Sequence, residues 1–226
     1  MDAFLDKVEA VLNFWSRIWD KICDICRPTV NFLSPYVMPV LTRIVNELLP
    51  LMERPVDWIL FWYFACHIPI TLCIDLQPIY PEWLIPKYLS DITASYIEMV
   101  EDPFMDTTKP VKYWFQSFLF CEAFIQLPFF FFAAYGVLKN KSWIRLPLAI
   151  YGAHVATTVV PILTETVFNQ VKYGLTNFQR NCMLVLYVPF FLVPVLAVID
   201  SSIRITAIIK ENDLAEVKVK ELTKTD

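Results

Sequence analysis

The chain has 226 residues, 57% of them hydrophobic and 19% charged, with a mean hydropathy of +0.48 and a formal net charge of -4. This excludes an ordinary soluble domain, and the lack of a basic surplus excludes a nucleic-acid partner. With 16 prolines against 3 glycines, the helices of this chain must accommodate proline rather than glycine.

Residues 1–27 carry a helical stripe of Phe4, Leu5, Val8, Val11, Leu12, Trp15, Ile18, Trp19 and Ile22, with charges filling much of the other face. The spacing predicts an amphipathic helix that lies on a membrane or packs on another helix. The start, MDAFLDKVEAVLNFW, is acidic at once, so no cleavable signal sequence is expected. CDIC at 23–26 has the spacing of half a zinc site without a second half. These cysteines read as small hydrophobes or free thiols, and neither metal nor cofactor is expected. The segment VMPVLTRIVNELL, after the Pro28 and Pro35 breaks, is too short and interrupted to be a span.

Four stretches are long and apolar enough to cross a bilayer, roughly 58–75, 115–138, 146–168 and 183–209. Charges bound them: Asp57 and Asp75, Lys112 and Lys139, Arg145 and Lys172, Arg180 and Lys210. The expected fold is an all-α membrane protein, a bundle of four transmembrane helices. Each span carries proline: Pro69, Pro128, Pro161, then Pro189 and Pro194. Each proline removes a backbone hydrogen bond and kinks its helix, and kinks in all four bow the helices apart around a cavity. Three regions follow: a cytosolic amphipathic extension (1–54), the membrane domain (55–209) and a cytosolic charged tail (210–226). Lys139, Lys141 and Arg145 crowd the loop between spans two and three, whereas the long loop after span one holds six acids against three lysines. The positive-inside rule therefore places both termini in the cytosol and the acidic loop in the lumen.

Counting depth at about 1.5 Å per residue brings Asp75, Glu122, Gln126, Glu165 and Tyr187 to the lumenal half of the bundle. His67 and His154 fall nearer its middle, and His67 lies about two turns below Asp75, offset around the helix. Acids in a span are costly unless they face the bundle or a wet cavity. Two carboxyls in one dry space repel, so one keeps its proton. Asp75 is alternatively an interfacial end-cap, Glu122 a structural hydrogen-bonding group, and each histidine a packing partner. The reading that uses them all is a pocket lined by aromatic rings with acids at one end. It suits a hydrophobic ligand bearing a cationic amine or a hydroxyl.

HIPITLCIDLQ at 67–77, EDPF at 101–104, WFQSFLFCEAFIQLPFFFFAAY at 114–135 and WIRLPLAIYGAHVATTVVPIL at 143–163 resemble the EXPERA family, which includes the emopamil-binding sterol isomerase. The resemblance runs from about Asp57 to about Ile209; the extension at 1–54 is unlike the short N-terminus expected of the family. It implies a four-helix bundle that commonly dimerises and resides in the endoplasmic reticulum, with traffic to other membranes. Its pocket accepts sterols, oxysterols, membrane lipids and cationic amphiphiles, and no cofactor. By this resemblance the amine-binding acid is Asp75, and the other ligand-binding residues are Glu122, Gln126, His67, Thr158 and Tyr187. Asp102, Thr157 and His154 support the pocket. The tail, ELTKTD, lacks the paired lysines of a retrieval signal. The resemblance is nearer to the binding branch than to the isomerase branch. It therefore implies a non-enzymatic binder acting in cholesterol handling, with a sterol transporter as a partner. The alternative is a sterol double-bond isomerase in which Glu122, Asp75 and the histidines supply an acid and a base.

Overall fold

A computed structural model of the chain describes residues 46 and 48–222. The expected amphipathic helix at 1–27 and the CDIC pair lie outside these residues. Contacts divide the chain into Met1–Glu53 and Arg54–Asp226. Of the first unit, residues 48–52 are helical.

The second unit holds four helical stretches long and apolar enough to cross a membrane: Pro55–Asp75, Tyr113–Leu138, Ser142–Phe168 and Asn177–Lys218. The protein is a multi-pass membrane protein. Span one is α1 (Pro55–Ile70), begun by a proline in its first turn, where the missing N–H costs nothing, and finished by a π-helical turn, Thr71–Asp75. Two short 3₁₀ turns lead to α2 (Lys87–Val100), which packs on the span-one π turn and on the start of span four. Span two is α3 (Tyr113–Cys121), a π turn (Glu122–Gln126) and α4 (Leu127–Leu138). Span three is α5 (Arg145–Phe168), followed by the single turn α6 (Gln170–Tyr173). Gly174 ends α6 at φ 69°, a conformation open to glycine. Span four is α7 (Asn177–Tyr187), started by a Thr176–Gln179 capping box, and α8 (Pro189–Leu222).

The prolines do not act alike. Pro69, Pro161 and Pro194 lie inside continuous helix, whereas Pro189 opens a new one after a break at Val188. Pro128 sits directly after the Glu122–Gln126 π turn. There the Leu127 N–H reaches the carbonyl of Glu122, five residues back, and the widened turn makes room for the proline ring.

Spans three and four pack closely along α5 and α8, and span one packs on α4. Gly152 permits the first contact, since a Cβ there would overlap the Pro194 carbonyl oxygen. Leu60, Phe64, Phe130, Val137, Leu148 and Val155 fill the interior. The outer faces are apolar too: Phe124, Phe132, Ile150, Val185 and Ile203 are all exposed. Water penalises such faces and lipid does not.

At one end of the bundle, Asp57 is fully buried. Arg145 grips both of its oxygens, at 2.8 and 3.1 Å, Arg54 reaches it at 2.6 Å and Arg204 at 3.2 Å. Arg204 also pairs with Asp200 at 2.9 Å, and Arg54 donates to the Val137 and Leu138 carbonyls that end span two. Asp57 and Arg145, which the sequence presents as span boundaries, are thus core residues joining all four spans. Asp200 and Arg204 carry the same signal, an acid and a base four apart within an apolar run, which hydropathy alone hides.

Candidate functional site

At the opposite end, π turns place the acids. An α turn takes 3.6 residues and a π turn about 4.4, so one of each covers about eight residues. His67 and Asp75 are eight apart across one α turn and the Thr71–Asp75 π turn, and so they face the same way. The offset expected from regular helix is removed: His67 Nε2 lies 3.9 Å from Asp75 Oδ2. From span two, Glu122 Oε1 comes within 3.8 Å of the same nitrogen. Thr71 donates to Glu122 Oε1 at 2.7 Å and stands 3.4 Å from Asp75 Oδ2.

His67, Asp75 and Glu122 border a cavity of about 100 Å³, whose lining also includes Gln126, Thr158 and Tyr187. Phe115, Phe118, Phe190, Leu119, Val159 and Ile162 make most of its remaining wall apolar. Beneath it, the His67 ring stacks on Phe130 at 4.6 Å, with Tyr63 and Phe190 at 5.0 and 4.8 Å. The cavity is smaller than the ~300 Å³ at which small-molecule clefts begin. A body larger than a few atoms needs the side chains or spans to part.

Asp102 is fully buried in the loop between spans one and two. It accepts from the Tyr96 and Tyr187 hydroxyls, both at 2.7 Å, and from the Phe104 N–H at 2.8 Å. Asp102 thereby fixes the Tyr187 ring at the cavity wall. Burial, and then the Asp102 charge beside it, push the Tyr96 phenol far above its usual range. Lys112 closes this end: its ammonium donates to the Pro103 carbonyl and stands over the Phe104 and Tyr173 rings at 5.7 and 5.3 Å.

The remaining expected residues fall outside the cavity. His154 is half-buried, with Nε2 3.4 Å from Gln126 Nε2, so it touches the pocket through that amide. Thr157 is exposed and its hydroxyl returns to the Ala153 carbonyl, so it supports its own helix. Glu165, grouped with the pocket acids by depth, turns away to Asn169 and the Tyr173 hydroxyl, both at 2.7 Å. The sequence reading missed Thr71, the one threonine of span one; its i, i+4 spacing to Asp75 was the available signal.

Residues 88–201 match the family described as EBP, EXPERA (EXPanded EBP superfamily). The chain is 44% identical over 149 residues to "Sigma intracellular receptor 2" of Xenopus tropicalis, an alignment covering 63% of this chain and 85% of that protein. It is 37% identical over 159 residues to the protein of the same name in Homo sapiens, covering 66% and 89%. "Efficient mitochondria targeting-associated protein 19" of Schizosaccharomyces pombe is 28% identical over 163 residues, covering 70% and 80%.

Proposed function

Because the chain belongs to the EXPERA family and is similar across most of their length to proteins named sigma intracellular receptor 2, we propose that it is an intramembrane binding protein for sterols and cationic amphiphiles. One observation carries the reading. Asp75 and Glu122, from different spans, meet at the end of a cavity whose other walls are mainly apolar and aromatic. A carboxylate there attracts an ammonium, aromatic faces add to that attraction, and the apolar wall takes hydrocarbon. A sterol hydroxyl finds acceptors in the same carboxyls and in Gln126. Asp75 is the amine partner, Glu122, Gln126, Thr158 and Tyr187 shape the site, and Asp102 holds Tyr187.

The reading extends to a role in cholesterol handling at the endoplasmic reticulum, with both termini cytosolic, and to a homodimer working beside a sterol transporter. The small cavity restricts the buried part of the ligand to its head, leaving the rest to displace side chains or reach lipid.

The test uses the purified chain in lipid nanodiscs. A tertiary-amine amphiphile should bind saturably, and Asp75→Asn should weaken it at least ~30-fold, the loss typical when one member of a buried charge pair is removed. Unchanged affinity in Asp75→Asn would sink the charge pairing. Turnover of an unsaturated sterol, abolished by Glu122→Gln, would replace binding with isomerase chemistry.

A further inference from the structure

His67 is 6% exposed, yet its ring makes no hydrogen bond at either nitrogen. Nδ1 is buried without a partner, and Nε2 stands 3.9 Å from Asp75 and 3.8 Å from Glu122, beyond hydrogen-bond length. One donor atom from each of the three residues lies within 4.8 Å of the others. An imidazole aimed at two carboxylates without bonding either is the feature that amine binding leaves unexplained.

We propose that His67, Asp75 and Glu122 form a site for one divalent transition-metal ion of the zinc type. The sequence reading expected no metal, since CDIC lacks a second half; it offset His67 from Asp75 around a regular helix, and the π turn brings the two together. Charge admits a dication: on binding, a divalent ion displaces the proton that one of the two acids keeps, releases it to water, pairs with both carboxylates and takes the imidazole as a neutral third donor. Donor chemistry supports a transition metal, since calcium and magnesium favour all-oxygen shells and imidazole suits zinc, copper or nickel. Tetrahedral bonds of about 2.1 Å set donor atoms roughly 3.4 Å apart, so the two separations from His67, 3.9 and 3.8 Å, close by about half an ångström on side-chain rotation. The fourth position faces the cavity, which leaves it to water or a ligand. Metal-bound imidazoles usually donate through their second nitrogen, and His67 lacks such a partner. The ion is therefore exchangeable rather than structural, and it competes with a cationic amphiphile for the two acids.

The proposal shares its pocket with the proposed function, and the experiment separates the two. Zinc chloride is titrated calorimetrically into the full chain in nanodiscs, in a Cys23→Ser, Cys26→Ser background that removes the thiol pair. One zinc should bind per chain, His67→Gln and Glu122→Gln should each weaken it by roughly 10–100-fold, and zinc should displace a bound tertiary-amine amphiphile. X-ray absorption of the zinc-loaded chain should show imidazole nitrogen with oxygen, a readout that stands even where a variant fails to fold. No saturable zinc uptake, a shell without imidazole, or simultaneous independent binding of zinc and amphiphile would each overturn the metal site. Amphiphile binding without zinc binding removes this inference and leaves the proposed function; zinc binding without amphiphile binding does the reverse.

Discussion

Thr71 and Glu122, each the first residue of a π turn in its own span, are joined by a 2.7 Å hydrogen bond. The two irregular turns thus face each other, and one fully buried hydroxyl links them. Widened turns let side chains leave the regular helical phase, and here both do so at the acids.

Replacing Thr71 by valine keeps its shape and removes the donor. Glu122 is then short of a partner, and a loss of about 1–3 kcal/mol is expected in denaturant unfolding, together with weaker amphiphile binding. Thr71→Ser should restore most of both. A valine variant indistinguishable from wild type in both measurements would show that the bridge does not hold the turns.

Arg145→Met leaves Asp57 buried with only its partly exposed arginine partners, at 2.6 and 3.2 Å. Breaking a buried ion pair by removing one member costs about 3–5 kcal/mol. Thermal unfolding in nanodiscs should show a large fall in Tm. Arg145→Lys should recover only part of it, because one ammonium cannot replace a fork that holds both Asp57 oxygens and Asn140. Full recovery with lysine would mean that charge alone matters there.

Gly152→Ala pushes a methyl group into the Pro194 carbonyl oxygen and to 2.8 Å from the Val198 side chain. Backbone cannot rotate away as a side chain can, so spans three and four must separate. Overpacking of this kind costs about 1–3 kcal/mol. The expected result is a lower Tm with the ligand preference unchanged, and an unaltered Tm would show that the two spans are free to shift.

Tyr173 gives a pH dependence with a defined sign. Burial first, then its hydrogen bond to Glu165, push its phenol up from 10.0 to about 12. A pKa raised by folding favours the neutral phenol in the native state. Its contribution to stability is complete below pH 10 and is lost as pH rises through about 12. Subtracting the alkaline absorbance titration of Tyr173→Phe from that of wild type isolates this group among the 10 tyrosines. Glu165→Gln should move the transition downward, and an unmoved transition would remove Glu165 as a cause.

The spans were legible because hydropathy accumulates along the chain and needs no knowledge of neighbours. The acids of the pocket were partly legible, since depth follows from counting residues. Rotation about the helix does not: Glu165 has the right depth and turns to Tyr173 and Asn169 instead. The facing of His67 and Asp75 was hidden for a related reason, since no residue pattern announces a π turn at 71–75. Asp57 does stand at the start of span one, but its burial was hidden because it depends on Arg145, 88 residues later, and no local window contains both.

The Asp57 cluster also bears on how the chain is made. Asp57 and Arg54 leave the ribosome together, while Arg145 and Arg204 follow only with the third and fourth spans. The opening helix is thus finished as a polymer well before its carboxylate has all its partners. A prematurely stopped product would hold Asp57 by Arg54 alone, without the arginines of the third and fourth spans that enclose it in the completed protein.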